Sequence, residues 1–491
     1  MSRRYEAFHN AGFSVNIRSE IDPLESVIVH VPGPEHEYVL PENITEWIAG
    51  DGKLEDNPDY LLFDDLIHVE KAVEEHITFQ RILKKFVGEK SCMELTDLLA
   101  EVCDVAEHRR GLINDCVELE RELYGSVRLT DDVVKELMDM KSEDLVHVML
   151  TGRRRETAAA RRGGEEPAAA HSIFKNPLPN LIFTRDVAAV VGNQILLMWG
   201  RRGARKRETI ISRYIFTRHP IFKDYQVYDF NSVHPELTLE GGDVVVLDDD
   251  VVCIGMSERT PMETVDALAP FFFRQGFHTV FAVDLPKKRS LMHLDTIFTR
   301  ISVDEVLVYP PLFIKPRAGT PQIQTWRLTR GQSFKDVKPS SETLLKLLAR
   351  EGLYLKPIPC GGKDPLAQDR EQWTDGANAF AVGPGRIITY QRNQHTLDCL
   401  AESGYHVISA DDFLGDPFKA ATALRAPKLV VTIESGELSR GRGGARCLTL
   451  PISRQIFAKS PKKKPRYERQ GSSKRFRRLS QDSDDEGRHS D

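Results

Sequence analysis

The sequence of 491 residues lacks several features that mark specialised classes of protein. No apolar run approaches the roughly 18 residues that cross a bilayer, and the N-terminus leads into polar sequence without an apolar signal region. A formal net charge of -6 argues against a dedicated nucleic-acid binder. The 7 cysteines show neither metal-ligand spacing nor an even disulfide framework. We therefore expect an intracellular protein of two or three domains, without membrane contact, in a reducing compartment.

The composition and the spacing of apolar residues change along the chain. Apolar residues at helical spacing begin near Asp64 or Asp65, either of which would cap the first helix, and no strand is expected in the helical region that follows. The predicted segments are a strand-containing part at 1–63, a helical subdomain at 64–152, a flexible loop at 153–175, a strand-rich part at 176–453, and a disordered tail, basic and then acidic, at 454–491.

An internal repeat organises the second strand-rich part. Apolar hairpins recur at 187–198, 244–254 and 380–390. After the second and third hairpins, an amphipathic helix ends at Gly276 or Gly404, and a further strand follows. Units of two strands, a helix and a strand predict an α/β fold of stacked repeats, and radial repetition around an axis is one solution. Polar motifs precede the hairpins, so side chains near residues 186, 240 and 378 are expected to face one cavity.

Cys447 ends a glycine-lined run, Gly-Arg-Gly-Gly-Ala-Arg-Cys at 441–447. The neighbouring arginines favour the thiolate, which is the nucleophilic form, and the glycines let another molecule approach closely. A single cysteine is more often a small buried apolar residue, and an Arg-Gly-Gly run also occurs in RNA-binding arms. The interpretation of Cys447 as a nucleophile therefore depends on partners elsewhere in the chain.

Candidate partners are His293 and Asp295, which the two-residue period of a strand would place on one face. By itself, a His-x-Asp pair is more often a hydrogen-bonded structural pair than a catalytic one. The carboxylates before the hairpins, however, call for a cationic substrate. Asp186 and Asp295 could each hold a planar guanidinium through paired hydrogen bonds, leaving its central carbon open to Cys447.

These residues predict a covalent route. The Cys447 thiolate attacks the guanidinium carbon, His293 protonates the departing ammonia, and the same imidazole deprotonates the water that hydrolyses the thiouronium adduct. The bound cation would also help to keep the thiol ionised. This route requires neither a metal nor an organic cofactor.

Four ordered motifs in this chain resemble those of the arginine deiminase family. They are Asn-Pro-Leu-Pro-Asn-Leu-Ile-Phe-Thr-Arg-Asp at 176–186, Glu-Gly-Gly-Asp at 240–243, Met-His-Leu-Asp-Thr at 292–296 and Arg-Gly-Arg-Gly-Gly-Ala-Arg-Cys at 440–447. The resemblance implies the pentein fold, a five-bladed α/β propeller of pseudo-repeated ββαβ units with an inserted α-helical subdomain. It also implies hydrolysis of free L-arginine to L-citrulline and ammonia, in arginine degradation.

The resemblance assigns roles by matched position. Cys447 is implied to be the nucleophile and His293 the general acid and base. Asp186 and Asp295 would bind the guanidinium, and Glu240 would support His293 and the substrate. The residues implied to bind the rest of the substrate are Asn180, Arg205, Asp243, Arg259 and Arg442. Among these, Asn180, Arg205 and Arg259 would hold the carboxylate of the amino acid, and Arg442 matches a mobile arginine near the thiol.

Some of these assignments have plainer interpretations. Arg205 lies in a basic run that is typical of a solvated surface, and Asn180 follows a proline, as a turn residue would. Glu240 and Asp243 flank two glycines and could simply form a turn. The chain also departs from the family pattern, because residues 376–378 read Gly-Ala-Asn where Gly-Thr-Asn is expected, and the loop at 156–170 is extended.

The tail is the largest departure. Basic residues at 462–464 and 474–478 precede acidic residues at 482–486, a composition that cannot bury apolar surface. It is either a solvated terminus or a contact for a nuclear import factor or another anionic partner. Ser480 follows Arg-Arg-Leu and matches a basic-directed phosphorylation site. We expect a cytoplasmic protein, nuclear in addition if the tail acts as an import signal.

Three alternatives remain at this point. A relative that acts on agmatine, peptidyl arginine or methylated arginine would share most of the motifs, but agmatine lacks the carboxylate that Arg205 and Arg259 are implied to bind. A non-catalytic pentein could instead bind nucleic acid through the basic tail, although binding alone would not need the full set of catalytic residues. L-Arginine is the expected partner, and a homo-oligomer is compatible with the sequence.

Overall fold

The computed structural model describes residues 13–50, 52–125, 130–152, 173–317, 319–320 and 323–456. Short strands and helices alternate through these ranges, so the chain has the predicted α/β class. None of the helices in them is long and apolar enough to cross a membrane. Most of the predicted loop, most of the tail and the Ser480 site lie outside the described residues.

The bounds of the elements are as follows. The strands are β1 Leu24–Val29, β2 Trp47–Gly50, β3 Lys53–Asp56, β4 Cys92–Glu94, β5 Ala188–Val191, β6 Gln194–Leu197, β7 Gln226–Asp229, β8 Val244–Asp248, β9 Val251–Met256, β10 Thr279–Asp284, β11 Phe298–Arg300, β12 Glu305–Val308, β13 Gln324–Thr329, β14 Lys356–Pro359, β15 Phe380–Gly383, β16 Arg386–Tyr390, β17 His406–Ser409, β18 Leu429–Ile433 and β19 Leu450–Arg454. The longer helices are α1 Val69–Val87, α2 Leu95–Cys103, α3 Ala106–Tyr124, α4 Asp131–Asp139, α5 Ser142–Thr151, α6 Lys206–Arg218, α7 Met262–Arg274, α8 Leu344–Arg350, α9 Pro365–Trp373, α10 Gln394–Glu402, α11 Ala410–Gly415 and α12 Pro417–Arg425.

Five sheets share one strand pattern. In each, a first strand pairs antiparallel with a second, and the second pairs parallel with a third. In that order, the triplets are β5-β6-β7, β8-β9-β10, β11-β12-β14, β15-β16-β18 and β19-β1-β4. The parallel pairing requires a crossover segment between the second and third strands, which is why helical segments lie between them. The predicted hairpins correspond to β5-β6, β8-β9 and β15-β16, so all three are confirmed.

The fifth triplet joins the two ends of the described chain. β19 pairs antiparallel with β1, with Leu24 opposite Arg454 and Ile28 opposite Leu450. β19 thus extends one residue past the predicted start of the tail. The strand predicted after Gly404 exists as β17, but it lies at the outer edge of its sheet, with β18 between it and β16.

The helical region shares its core with the first sheets. Leu99, Ile113 and Leu145, from α2, α3 and α5, belong to the same buried apolar cluster as Ile195 of β6 and Ile211 of α6. Burial of these side chains contributes roughly 1.5–3 kcal/mol each. The helices therefore pack against the α6 side of the β5-β6-β7 sheet and fix the position of the segments at its edge.

Three local predictions are wrong. Helix α1 is capped by His68, whose ring accepts a hydrogen bond from the backbone nitrogen of Lys71 at 3.3 Å, and not by Asp64 or Asp65. The region predicted to be purely helical contains β4, because its three residues extend the sheet of β1. Residues 292–296 do not form a strand: Leu294–Thr296 is a single 3-10 turn, and the strand begins only at β11.

Candidate active site

Each strand triplet supplies polar side chains from the segment just before its first strand. These are Asp186 before β5, Glu240 and Asp243 before β8, His293 and Asp295 before β11, Asn378 before β15, and Cys447 before β19. All seven side chains are at most 6% exposed. Because the five segments occupy equivalent positions, residues that are far apart in sequence meet at one place.

His293 lies at the centre of the carboxylates. Its Nε2 is 2.8 Å from Oε2 of Glu240, and its Nδ1 is 4.0 Å from Oδ1 of Asp186. Burial alone would lower the pKa of the ring, but the hydrogen bond to Glu240 and the charges of Asp186 and Asp243 outweigh burial and raise it to about 9. The ring is therefore an imidazolium at neutral pH and can act as a general acid.

Cys447 lies on the other side of this cluster. Its Sγ is 3.7 Å from Oδ2 of Asp295, and its backbone nitrogen donates to Oδ1 of Asn378 at 3.2 Å. Burial first, and then the charges of Asp295, Asp186 and Asp375, raise the pKa of the thiol well above its ordinary value, whereas Arg446 lowers it by less. Arg446 thus favours the thiolate, as predicted, but burial and the carboxylates outweigh it, so the net shift of the thiol pKa in the protein alone is upward.

Asp186 and Asp295 each have one engaged and one unpaired oxygen. Oδ2 of Asp186 accepts from Nη1 of Arg205 at 2.9 Å, and Oδ2 of Asp295 accepts from Nη1 of Arg446. In both residues Oδ1 is buried and has no hydrogen-bond partner within the described part of the chain. A buried carboxylate oxygen without a donor is costly, so these two atoms are suited to accept the N–H groups of a cation.

Arg205 and Arg259 are buried and paired with carboxylates. Arg205 contacts Asp186 and donates from Nε to Glu208 at 2.9 Å, and Nη1 of Arg259 is 3.2 Å from both oxygens of Glu240. Arg205 is only 3% exposed, so the solvated-surface interpretation of its basic run is wrong at this position. Both guanidinium groups also line the pocket described below, where they offer positive charge to a ligand carboxylate.

Asn180 and Asp243 form hydrogen bonds within the protein. The side-chain amide of Asn180 donates to the carbonyl oxygen of Leu61, and Asn180 also lines the pocket described below. Asp243 accepts from Ser257 at 2.5 Å, from Thr260 at 2.7 Å and from the backbone nitrogen of Leu294 at 3.0 Å. Asp243 thus positions the turn that follows His293, and it is not among the residues that line the pocket.

Arg442 crosses the mouth of the site. Its φ of 66° is in the left-handed region, its guanidinium lies 3.5 Å from the centre of the Trp373 ring, and its Nε is 3.2 Å from Asp64. Arg289 binds the same Asp64 carboxylate at 3.2 Å. Nη1 of Arg442 also donates to the carbonyl oxygen of Trp373, so this side chain contacts a ring, a carboxylate and a backbone acceptor, and the mobility implied by the family resemblance stays a prediction.

A small pocket is lined by several of these groups, although Glu240 and Asp295 are not among its lining residues. It is lined by Leu62, Asn180, Phe183, Asp186, Arg205, Arg259, Arg289, Met292, His293, Gly441, Arg442 and Cys447. Both signs of charge occur at its wall: Asp186 lies near His293, and of the four lining arginines, Arg205 and Arg259 contact carboxylates.

Glycines allow the close approach of the catalytic segments. A Cβ at Gly242 would lie 2.4 Å from Nδ1 of His293, and a Cβ at Gly444 would lie 2.6 Å from the carbonyl oxygen of Asn378. Neither distance is compatible with a side chain unless a neighbour moves. The glycines of both motifs are therefore needed for space as well as for the turn.

Asp186, Glu240 and His293 also have the spacing of a metal site. Their ligand atoms lie within 4.8 Å of one another, which no other group of such residues in the described ranges achieves. However, Arg205 is 2.9 Å from Asp186 and 3.9 Å from Glu240, and Arg259 binds Glu240 as well. Two guanidinium cations among the would-be ligands oppose a divalent cation by charge repulsion.

Sequence reasoning missed several residues that hold the site together. Arg446 donates to Glu20 and to Asp295, and Glu208 pairs with Arg205. Asn378, near which a site residue was predicted, accepts from the backbone of both Arg446 and Cys447. Glu20 and Arg446 are 426 positions apart, so no local pattern indicates their pairing. For Arg446 the only available sequence clue was its position beside Cys447.

Several known proteins are similar to this chain over most of its length. The family model described as "Arginine deiminase" matches residues 59–454. An arginine deiminase of Listeria monocytogenes serotype 4a is 30% identical over 450 residues, which cover 90% of this chain and 98% of that protein. An arginine deiminase of Lactococcus lactis subsp. cremoris is 33% identical over 454 residues, with the same coverage of 90% and 98%.

Similar solved structures include two enzymes of guanidine chemistry. The N-terminal domain of ArgZ, an arginine dihydrolase from the ornithine-ammonia cycle in cyanobacteria, is 14% identical over 87% of this chain and 98% of that one, with a TM-score of 0.44. SxtG, an amidinotransferase from Microseira wollei, is 13% identical over 91% and 99%, with a TM-score of 0.46. The family model and the near full-length relatives decide the question: the chain belongs to the arginine deiminase family.

Proposed function

We propose that this protein hydrolyses free L-arginine to L-citrulline and ammonia through a covalent intermediate on Cys447. The observation that carries the proposal is the pair of unpaired Oδ1 atoms on Asp186 and Asp295, beside the thiol and the imidazolium of His293. Two carboxylates with open acceptor positions match the planar array of N–H donors on a guanidinium. Family membership supports the same chemistry.

The substrate supplies the charge that activates the thiol. The pKa of Cys447 is raised by burial and by three carboxylates, so the thiol is protonated before substrate binds. A guanidinium held by Asp186 and Asp295 neutralises two of those carboxylates and places a positive charge beside Sγ, which lowers the pKa of the thiol. The thiol loses its proton to solvent or to a nearby base, and the thiolate is formed only where the target carbon is present.

The chemistry then proceeds in two stages. The sulfur forms a bond to the guanidinium carbon, and the imidazolium of His293 transfers its proton to one terminal nitrogen, which leaves as ammonia. The resulting thiouronium adduct is attacked by water, whose proton passes to the now neutral His293. Collapse of the second tetrahedral adduct breaks the C–S bond and gives the ureido group of citrulline. Glu240 stabilises the protonated ring throughout through its hydrogen bond at 2.8 Å.

The wall of arginines favours a substrate that carries a carboxylate. Arg205, Arg259, Arg289 and Arg442 all line the pocket. The expectation that agmatine would leave Arg205 and Arg259 unpaired is wrong, because both already contact carboxylates of the protein. What disfavours agmatine is the positive charge of this wall, which the α-carboxylate of arginine would offset, whereas the terminal ammonium of agmatine adds to it.

Protein-bound arginine is disfavoured by enclosure. Cys447 is only 4% exposed and His293 only 2%, and Arg442, which also lines the pocket, is 4% exposed. A polypeptide on either side of the reacting residue has no room beside walls that are buried to this extent. A non-catalytic role through the basic tail is disfavoured by the intact set of catalytic side chains.

We further propose that the five strand triplets close around an axis as a five-bladed propeller, with helices α2 to α5 as an inserted subdomain. The support is that the segments before all five first strands meet at one site, as blades arranged around a common centre would require. Import into the nucleus by the basic tail is a separate proposal that rests on sequence alone.

The test is a direct comparison of substrates. Citrulline formation from L-arginine should exceed the deimination of agmatine and of a peptidyl arginine by at least about 100-fold in kcat/KM, the effect of roughly 2.7 kcal/mol of lost binding. A Cys447→Ala variant is the matched control for background hydrolysis. Equal or faster turnover of agmatine would overturn the assignment of free arginine, whereas no turnover of any guanidine would overturn the enzymatic proposal itself.

A further inference from the structure

The hairpin of β2 and β3 stands apart from the other sheets. Its strands pair antiparallel, with Trp47 opposite Asp56 and Gly50 opposite Lys53, and no other strand in the described ranges extends this two-stranded sheet. Seven of its eight strand residues are exposed, including all four of β3. An isolated pair of strands is only marginally stable in water, and a further strand would stabilise it.

The hairpin also carries large apolar side chains into solvent. Trp47 is 48% exposed, Ile48 43% and Leu54 73%. Ala49 lies opposite Leu54, and alternate residues of a strand share a face, so Trp47, Ala49 and Leu54 form one apolar row. Single apolar residues are normal on a protein surface, but a contiguous row on an isolated strand pair is typical of an interaction surface.

The base of the hairpin is held in place. The backbone nitrogen of Asn57 donates to the carbonyl oxygen of Glu46 at 2.9 Å, and the Asn57 side chain donates to the carbonyl oxygen of Thr45 at 2.7 Å. Nη2 of Arg202 is 3.6 Å from Glu46, and its Nη1 is 3.9 Å from Asp56. The strands therefore extend from a braced base, which lowers the entropic cost of ordering them against a partner.

The outer edge of β3 has backbone groups without a strand partner. Two residues connect Gly50 to Lys53, and the pair that closes such a short hairpin exchanges its backbone hydrogen bonds internally. Because the pattern alternates along an antiparallel strand, the N–H and C=O groups of Glu55 also point to β2, whereas those of Leu54 point away from it. No other segment in the described ranges binds the Leu54 backbone, so this residue offers one donor and one acceptor.

We propose that two copies of this protein pair antiparallel through the outer edges of β3, about a two-fold axis at Leu54. Leu54 then lies opposite the partner subunit's Leu54 and exchanges both backbone hydrogen bonds with it. On either side of the axis, Lys53 lies opposite the partner subunit's Glu55, which places two ion pairs in the contact. The two hairpins form one four-stranded sheet, and the apolar rows of both copies meet at the axis.

The charges of β3 select this register. An axis at Lys53, Glu55 or Asp56 would place two like charges opposite each other, which is destabilising. An axis between two residues would set outward backbone groups against inward ones, so no ladder would form. Neither Lys53 nor Glu55 forms an ion pair with another described residue, so both charges are available to a partner. The edge of β2 carries no charge that could fix a register.

The plainer interpretation is that these charges protect an exposed edge. Natural proteins place lysine on edge strands because it hinders the addition of another strand. Such protection works when a charge meets its own kind across the edge. Lys53 and Glu55 instead complement each other across an axis at Leu54, so the charge pattern favours pairing with a second copy.

The first experiment is sedimentation velocity on the full-length protein. The proposed contact spans only residues 52–56 of each chain, and interfaces well below about 1,200 Å² of buried surface are weak. We therefore expect the sedimenting mass to double between about 1 and 200 µM, a range that brackets weak complexes. A constant sedimenting mass over this range would overturn the proposal and leave the hairpin to a partner of another kind.

Charge reversals assign the association to this register. Lys53→Glu places four carboxylates around the axis and Glu55→Lys places four ammonium groups there, so each variant should associate at least about 10-fold more weakly than the wild type. The double variant of Lys53→Glu with Glu55→Lys restores both ion pairs and should associate within about threefold of the wild type. Lys346→Glu makes the same change of charge at an exposed residue of α8 and should associate like the wild type.

A mixture of the single variants gives the sharpest readout. Equimolar Lys53→Glu and Glu55→Lys proteins should form a heterodimer of wild-type strength, because each negative strand then faces a positive one. Weak association of this mixture, weak association of the double variant, or single variants that associate like the wild type would each overturn the proposal. All these changes lie on exposed residues, so every Tm should stay within about 2 °C of the wild type. None of the residues lines the catalytic pocket, so failure here would leave the proposed deiminase activity untouched.

Discussion

Replacing Gly242 with alanine should abolish most of the activity while the fold survives. The added Cβ would lie 2.4 Å from Nδ1 and 2.6 Å from Cγ of His293, where ordinary contacts begin at 3.4 Å. The imidazole must therefore move by about 1 Å, a misplacement that costs roughly 100-fold in rate when it affects a reacting group. Overpacking of this kind lowers the free energy of unfolding by about 1–3 kcal/mol, which a domain of this size tolerates.

The loss should appear in kcat because of how Glu240 is held. Nε2 of His293 is 2.8 Å from Glu240, and Arg259 binds both oxygens of the same carboxylate from the other side. Glu240 cannot follow the displaced ring without breaking the contact with Arg259. The expected result is a fall of about 100-fold in the kcat for citrulline formation, measured colorimetrically at saturating arginine, with a smaller change in KM.

Gly415→Ala is the matched control. This glycine is the last residue of α11, and a Cβ there would meet no heavy atom within 4 Å. Its turnover should equal that of the wild type, and its Tm should be equal or slightly higher, because alanine is favoured in helices by about 0.5–1 kcal/mol. If Gly242→Ala kept turnover within about threefold of the wild type with an unchanged Tm, the role given to His293 here would be refuted.

Three further predictions concern the same machinery. Cys447→Ala should form no citrulline and no covalent adduct by mass spectrometry while keeping a cooperative unfolding transition; residual turnover above background would exclude this thiol as the nucleophile. In Glu240→Gln the hydrogen-bonded carboxylate that raises the pKa of His293 to about 9 is lost, so the alkaline decline of kcat/KM should move to lower pH, and an unmoved decline would mean that another group provides the acid. A chain that ends at Ile456 keeps all of β19 and should turn over arginine at nearly the wild-type rate; a large loss would show that the tail belongs to the enzyme.

The sequence was informative where the chemistry is local. Hairpins with short turns, glycines just before a cysteine, and carboxylates just before strands can all be recognised within a few residues. The repeat then predicts that such segments converge, and the structure places Asp186, Glu240, His293 and Cys447 together. The two-residue spacing of His293 and Asp295 was interpreted as a strand, which is wrong. These residues lie in a tight turn, and a turn can also present two nearby side chains to one site.

What depends on tertiary packing could not be predicted. The pKa of the Cys447 thiol is raised by its burial and by carboxylates from three other segments, which outweigh the lowering by Arg446, so the net direction could not be inferred from the neighbouring arginines. The partners of Arg205 and Arg446 lie on other elements, and only the folded chain brings Glu20 to Arg446. The cap of α1 illustrates the same limit. Asp64 and Asp65 were the expected caps, but they bind Arg289 and Arg440 from other segments, and His68 caps the helix instead.

The pairing of the first strand with the last has a consequence for biosynthesis. The segment that carries Cys447 is anchored by β19, and β19 has its partner in β1, which leaves the ribosome long before it. Until that late pairing occurs, one edge of β1 is unpaired, and the site formed by the other segments lacks the thiol of Cys447. Loop closure over such a span is entropically costly and is completed only at the end. A nascent or prematurely terminated chain is thus catalytically silent, and competence is gained in one step when the two extremities of the domain join.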